Sequence, residues 1–398
     1  MVFISKRDID LLEYDDFLKE QVFPHVLQTS IWAQVKNNWK SDFIGFYREN
    51  ETELLASCLI LTRQLMFGVT MCYIPRGMVF NYDDDELLHF ILSTLTEYAK
   101  SQNALFVKFD PAIKNDETGK LIIQKLQQMG CIWLGETKNM SQTIQPRYDA
   151  VLYKENYTEE KISKKLKQRL RKAQNTFSIV EVGSQELLMD FAHLMNLTEQ
   201  RKGIKLRGAD YYAKILDAFQ DDAKIVMVKL NLRQIVDDLT KKCLKAQQGI
   251  ASTNNTQKKI VLQKEIERYE AEIQKLTVVI SEKGEIVPAA GNLFVNFNKI
   301  SENLYAGMDE KLREYYPSYL AWDMSIKTSF EKGAILHDMG GIEAEETGGL
   351  FQFKKMFNPQ IEEYIGEFDI PVNIFLYKIS KKFYRLRKEK RKFDKSKN

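Results

Sequence analysis

Lys354 follows an aromatic run and precedes a second lysine, Lys355. That order lets one ammonium be held from a strand end into a cleft while the other stays on the surface. A fixed ammonium in such a place stabilises a developing oxyanion. Asp110 closes a strand-like run at Asp110-Pro111, where it can accept a proton or cap the next helix. Lys161, Lys164, Lys165, Lys167, Arg169, Arg171 and Lys172 crowd seven cations into twelve residues on one expected helix, 159–173. Such a face binds phosphates, or is simply solvated. No Ser-His-Asp or Cys-His nucleophile is evident. His25, His89, His193 and His337 are far apart in sequence and read as structural. Cys58, Cys72, Cys131 and Cys243 lack CxxC spacing, which argues for reduced, mostly buried thiols and against a disulfide frame or zinc site.

The elements that must position these residues follow from periodicity. Strand-like runs cover 41–48, 55–65, 70–80 and 104–109, and amphipathic helices cover 84–101 and 114–129, the latter closed by Gly130. This order reads as α/β with a largely antiparallel sheet. The second half repeats it. A strand at 177–182 is followed by helices near 185–202 and 209–219. Strands come at 223–230, 289–297 and 302–307, then a helix at 316–332 and a strand and glycine turn at 337–342. A duplicated fold with a cleft between the copies is expected.

Two heptad runs interrupt the second half. Leu232, Val236, Leu239, Cys243 and Ala246 form one; Leu262, Ile266, Tyr269, Ile273, Leu276 and Ile280 form the other. The polar stretch 248–255 between them reads as a turn. Two apolar seams joined so bury each other as an antiparallel coiled-coil arm, the second helix roughly 27 Å long. The alternatives are an ordinary helical hairpin packed on a core and a protein-contact element.

Composition sets the limits. The chain has 398 residues, 44% hydrophobic and 28% charged, enough for two domains and an arm. No apolar run approaches the length of a transmembrane helix, and no secretory signal is expected. The net charge of +3 hides an asymmetry. From Lys378 onward eleven Lys/Arg face only Glu389 and Asp394, leaving 47 basic and 53 acidic residues elsewhere. A tail that interleaves aromatic and basic residues suits an anionic membrane or nucleic-acid phosphates, or is a solvated terminal helix.

Nine short stretches, in order, resemble one family. They are Trp32-Ala-Gln-Val-Lys-Asn-Asn-Trp39, Tyr73-Ile-Pro-Arg-Gly77, Lys108-Phe-Asp-Pro111, Ile144-Gln-Pro-Arg147, Tyr305-Ala-Gly307, Tyr316-Pro-Ser-Tyr319, Gly340-Gly-Ile342, Phe353-Lys-Lys-Met-Phe357 and Ile365-Gly-Glu-Phe-Asp369. Together they are similar to the Fem family of peptidoglycan cross-bridge transferases, from about Leu27 to Asp369.

The resemblance implies two acetyltransferase-like (GNAT-type) α/β domains facing a cleft, with the coiled-coil arm inserted in the second. The expected boundaries are 1–149 plus about 366–398 for the first, acceptor-side domain, 150–365 for the second, and 231–283 for the arm. It implies transfer of Gly, Ala or Ser from aminoacyl-tRNA to the lysine side-chain amine of a muropeptide precursor, lipid-linked or nucleotide-linked. No cofactor is implied beyond aminoacyl-tRNA as co-substrate. Direct aminolysis of an ester needs no protein nucleophile, which fits the residues found.

By resemblance the oxyanion role falls on Lys354. Lys36, in a helix start beside Trp39, contacts the acceptor diphosphate with Arg207, a point charge plus a bidentate fork. Tyr211 and Tyr305 match tyrosines near the acceptor, and core packing is the other reading of both. Gly340-Gly341 gives a tight turn, with Glu343 near the amine. Lys164, Lys165, Lys167, Arg169, Arg171 and Lys172 then become the tRNA-binding face. The scattered cysteines point to a cytoplasm, and the basic tail would make the protein peripheral at the inner membrane face. Two other classes stay open: an acyl-CoA N-acetyltransferase, against which no pyrophosphate-cradling glycine turn is found, and a non-catalytic tRNA- or membrane-binding scaffold.

Overall fold

In the computed structural model, which describes residues 2–21 and 24–382, the chain folds as α/β with two seven-stranded mixed sheets. The first part runs β1 (Phe3–Lys6), α1 (Leu11–Glu20), α2 (Ser30–Val35), β2 (Lys40–Arg48), β3 (Ala56–Gln64) and β4 (Thr70–Ile74). It continues with α3 (Asp85–Ser101), β5 (Ala104–Phe109), α4 (Glu117–Gln128), β6 (Ile132–Trp133) and β7 (Tyr148–Tyr153). Next come α5 (Lys164–Gln174), β8 (Ser178–Gly183), α6 (Leu188–Lys202), α7 (Ala209–Phe219) and β9 (Ala223–Asn231). Two long helices follow, α8 (Leu232–Ser252) and α9 (Thr256–Lys283), then β10 (Ile286–Phe297), β11 (Ile300–Met308) and α10 (Pro317–Glu331). The chain ends through β12 (Leu336–Gly341), α11 (Gly349–Lys355), β13 (Gln360–Glu363), β14 (Phe368–Pro371) and a helix α12 described over 374–382.

The strand orders are β1-β2-β3-β4-β5-β14-β6 and β13-β7-β12-β11-β10-β9-β8. In the first sheet β4 and β5 pair in parallel, Cys72 opposite Val107, while β2–β3, β3–β4 and β5–β14 are antiparallel. By contacts the chain divides into two compact units. One holds Met1–Tyr153, Asn296–Glu302 and the chain from Asp338; the other holds Lys154–Val295 and Asn303–His337. Residues 338–365 were expected in the second domain, but they pack with the first unit. The reason is local: β13 pairs with β7, Gln360 opposite Val151, and the Trp133 indole donates to the Ile365 carbonyl at 2.8 Å.

The first unit's core forms because α3 carries a stripe of Leu87, Leu88, Ile91, Leu92, Leu95 and Tyr98. These pack on Ile44, Phe46, Ile60, Ile74, Val107 and Phe109 from the strands. Each fully buried side chain of this size contributes roughly 1.5–3 kcal/mol. Asp84 starts the helix by accepting from the Leu87 amide at 2.9 Å. In the second unit α10 lays Leu320 and Ala321 on Val226, Val228 and Phe294.

Helices α8 and α9 pack on each other as a hairpin. Leu232 and Ile235 meet Leu276 and Val279, while Cys243 and Ala246 meet Ile266, flanked by Ile250, Leu262 and Tyr269. That register is antiparallel. The base of the hairpin also packs on Leu230, Val287, Leu312 and Tyr315, which brings Ile235 and Val279, outside the heptads, into the core. The polar stretch 248–255 is not all turn. Helix α8 continues to Ser252, because Ile250 and Leu262 pack against the tip of the seam. Only 253–255 connect, and Asn255 caps α9 through the Lys258 amide at 3.1 Å. The basic helix starts later than expected: Ser163 caps α5, so Lys161 lies before it. Most of the basic tail, from 383 onward, lies outside the described residues.

Candidate active site

A left-handed turn lies just after β4. Arg76 and Gly77 both take positive φ, 57° and 85°. A side chain at 77 would put its Cβ 2.7 Å from Pro111, so glycine is required there. Left-handed backbone costs a non-glycine residue about 1–2 kcal/mol, and Arg76 is held there from outside. Asp110 Oδ1 accepts the Arg76 backbone amide at 3.1 Å and the Tyr73 hydroxyl at 2.9 Å. Asp110 therefore caps no helix; Asp116 starts α4, accepting from the Gly119 amide at 2.9 Å.

The bend turns the Arg76 side chain inward. Its Nη2 meets Asp149 Oδ2 at 2.7 Å with both side chains about 5% exposed or less. Its Nη1 donates to the Pro146 carbonyl at 3.3 Å, and its guanidinium lies 4.7 Å from the Tyr364 ring centre. Around this one guanidinium stand the carboxyls of Asp110, Asp149, Glu302 and Asp338. Burial pushes Asp110 up to about 7, against the pull of Arg76. Glu302 is also pushed up to about 7 by burial, with Asp149 adding to the rise and Arg76 opposing it. Burial raises Asp149, and raises Asp338 well above the carboxylate range, with Asp149 and Glu302 reinforcing it. His25, whose Nδ1 is 3.7 Å from Glu302, is pushed well below its usual value by burial and then by Arg76. Groups displaced in this way are candidates for proton chemistry, and buried ion-pair networks displace them as well.

Among the described residues, Asp110 Oδ2, Asp149 Oδ1 and Arg76 Nε have no hydrogen-bond partner. Beside Asp110 lies a cavity with space for about one water, lined among others by Arg76, Thr143, Gln145, Arg147 and Tyr364. No group of three or more His, Cys, Asp or Glu among the described residues is placed to hold a metal ion. The four cysteines are free and buried.

Lys354 sits in this same unit, but not at a strand end. It closes the short helix α11 and is 4% exposed. Its Nζ donates to three successive carbonyls, Met339 at 2.5 Å and Gly340 and Gly341 at 2.9 Å each. An ammonium has three N–H bonds, so these acceptors match all of them. Glu343, expected near an amine, starts α11 instead: its carboxylate accepts the amides of Phe351 at 2.9 Å and Leu350 at 3.4 Å. Negative charge at a helix start is favourable. Gly340 has φ 77°, and a Cβ on Gly341 would fall 2.4 Å from Pro146, so the turn that receives Lys354 tolerates nothing larger. Lys355 is exposed and pairs with Glu346 at 3.2 Å.

The other expected residues divide between the units. Lys36 follows the end of α2 as its cap, not its start, because the preceding turn is nucleated by Thr29. Its Nζ lies 4.6 Å from the Trp32 ring centre, and Arg63 lies 5.4 Å from that of Trp39. In the second unit the exposed Arg207 stacks 4.9 Å from the Tyr211 ring, and Tyr211 and Tyr305 pack edge to face at 6.2 Å. Tyr212 closes that cluster, 5.1 Å from Tyr305. Burial and then Tyr305 raise the Tyr211 hydroxyl. On α5, Lys164, Lys165, Arg171 and Lys172 are exposed, and Lys167 and Arg169 are half-buried. Arg169 donates to the Tyr319 hydroxyl, and Lys172 lies 4.9 Å from the Tyr316 ring.

Sequence reasoning missed Arg76, Asp149, Glu302 and Asp338 as site residues. A signal existed: a charged residue between Pro75 and Gly77 after a strand, and acids inside otherwise apolar strand runs.

The fold defines a class. It is similar to the fold of a tandem GNAT protein from the clavulanic acid biosynthesis pathway, TM-score 0.51 and 7% identity over 93% of this chain and 98% of that one. A solved structure of FemX agrees more closely, TM-score 0.73 and 27% identity over 95% of this chain and 99% of that one. The chain is also 28% identical to a lipid II:glycine glycyltransferase of Staphylococcus aureus, over 94% of this chain and 95% of the relative. The FemAB family model matches residues 9–385, and the chain belongs to that family.

Proposed function

We propose that this protein is a tRNA-dependent aminoacyltransferase that adds Gly, Ala or Ser to the side-chain amine of a peptidoglycan precursor's stem peptide, building an interpeptide bridge. What carries the reading is the end-to-end match to a lipid II:glycine glycyltransferase. The acceptor amine attacks the ester carbonyl of aminoacyl-tRNA. A C–N bond forms, the carbonyl oxygen becomes an oxyanion, the ester C–O bond breaks, and the tRNA hydroxyl leaves with a proton. Asp110, with its unpartnered oxygen, takes the amine proton. Lys354 stabilises the oxyanion by handing over one N–H from a carbonyl. Lys36 and Trp39 in the first unit bind the acceptor, a lipid-linked or nucleotide-linked muropeptide; Arg207, Tyr211 and Tyr305 in the second unit are assigned to the acceptor by the family resemblance alone. The basic face of α5 holds tRNA, and the tail brings the protein to the inner face of the membrane. The acyl-CoA alternative keeps only the shared fold.

The test mixes purified protein with tRNA charged with labelled glycine, alanine or serine and a lysine-containing lipid-linked muropeptide. Label moving to the muropeptide is expected and names the donor. Acetylation from acetyl-CoA with no transfer from any tRNA pool would sink the reading.

A base of pKa about 7 works only when deprotonated. Transfer at subsaturating acceptor is therefore expected to rise with pH through about 7. Asp110→Asn should remove that limb and lower kcat about 10²-fold or more, whereas Glu302→Gln should keep it. A limb that survives in Asp110→Asn assigns the proton elsewhere.

A further inference from the structure

Helix α12 is pinned to the first unit by one face only. Asn373 starts it, accepting the amides of Phe375 at 3.0 Å and Leu376 at 3.1 Å. Tyr377 is 5% exposed and donates to Asp369 Oδ2 at 2.6 Å, and its ring meets Phe106 edge to face at 5.7 Å. Lys381, one turn on, reaches the same carboxylate at 2.6 Å and lies over Phe106. Asp369 is itself held by Lys108 at 2.9 Å. This anchor fixes the rotation of the helix.

At about 100° per residue, Phe375 and Ile379 each lie on the side opposite Tyr377. They stand one turn apart, 69% and 37% exposed. Leu376, 46% exposed, widens the apolar face on one side, Lys378 and Lys382 edge it on the other, and Ile374, 51% exposed, lies beyond those lysines. A short helix showing four large apolar side chains to water is costly unless something covers them. The sequence then continues into the run that carries eleven Lys/Arg against two acids from Lys378.

We infer that the Phe375–Ile379 ridge of α12 is a bilayer-inserting element, which seats the first unit on an anionic lipid surface. Apolar area beside dense positive charge is the pairing an interfacial helix needs. The ridge enters the headgroup and acyl boundary while the lysines stay at the phosphates. Nucleic-acid phosphates would satisfy the charges but leave Phe375 and Ile379 in water. The inference deepens the proposed action on a lipid-linked acceptor and rests on that reading for its purpose; its geometry stands apart from it.

The test uses the full chain. Wild type, Phe375→Ser/Ile379→Ser and a control, Leu121→Ser, exposed on α4, are sedimented with phosphatidylcholine vesicles and with vesicles containing phosphatidylglycerol. Wild type and control should bind the anionic vesicles, less so as salt rises. The double variant should bind roughly ten- to a hundredfold more weakly, with transfer to detergent-solubilised acceptor unchanged. Equal binding by wild type and double variant overturns the inference. So does a fall in oligomer mass in the double variant, which would put a second copy on the ridge. Binding to an RNA oligonucleotide in place of vesicles overturns it too. Wild-type vesicle binding without any transfer leaves the inference standing and removes the proposed activity instead.

Discussion

Arg76→Met should cost the first unit about 3–5 kcal/mol, because it leaves Asp149 buried without its cation. The thermal midpoint should fall by roughly 6–20 °C. The guanidinium is the cation nearest Asp149 and also lowers Asp110, Glu302 and Asp338, so its loss is felt by four carboxyls together. A carboxyl whose pKa is higher in the folded state than the unfolded value, about 4, keeps its proton longer when native. Native stability then falls as pH rises between the two values and is highest on the acid side. Removing Arg76 pushes the carboxyls further up, so the deficit should be largest above about pH 7 and shrink toward pH 5. Urea denaturation at pH 5 and pH 8 reads this directly. Arg76→Lys should recover only part, since a lysine lacks the planar fork whose Nη2 meets Asp149 while its Nη1 reaches the Pro146 carbonyl. A loss under about 1 kcal/mol, or one equal at both pH values, would mean that Arg76 does not neutralise the cluster.

The folding elements were legible where the pattern was strong. Helix α7 spans the expected 209–219, and α3 differs by one residue, because each carries a full apolar stripe. The short elements were not legible. Helix α11 has seven residues, and its start depends on Glu343, outside the helix, which no local propensity reports. The strand expected to run to residue 80 stops at Ile74, because the left-handed turn at Arg76 is paid for by Asp110, a residue 34 positions away. The site shows the same division. Lys354, Lys36 and Arg207 could be picked out as candidates because they are cations inside recognisable motifs. Arg76 and Asp149 are 73 residues apart, and each looks ordinary until the fold makes them a buried pair. Long-range pairing of single charges leaves no periodicity, so it enters only with the structure.

Lys354→Met should lower kcat for transfer by about 10²–10³. The acceptor KM should change little and tRNA should still be retained. Two roles of this lysine have to be separated, because its ammonium already spans the carbonyls of Met339, Gly340 and Gly341. In the first role it merely ties the glycine turn. In the second its charge, lent by one N–H, meets the oxyanion. Gly341→Ala disturbs the same turn with the lysine intact, since the new Cβ would press on Pro146. A turn-only role predicts equal losses in both variants, in step with their melting temperatures. An oxyanion role predicts that Lys354→Met loses far more rate at a similar melting temperature. It further predicts that added methylammonium restores part of the rate, because a small cation can enter the vacated space and serve the same oxygen. Rescue in Lys354→Met and none in Gly341→Ala would place the positive charge, rather than the shape of the turn, at the reacting carbonyl.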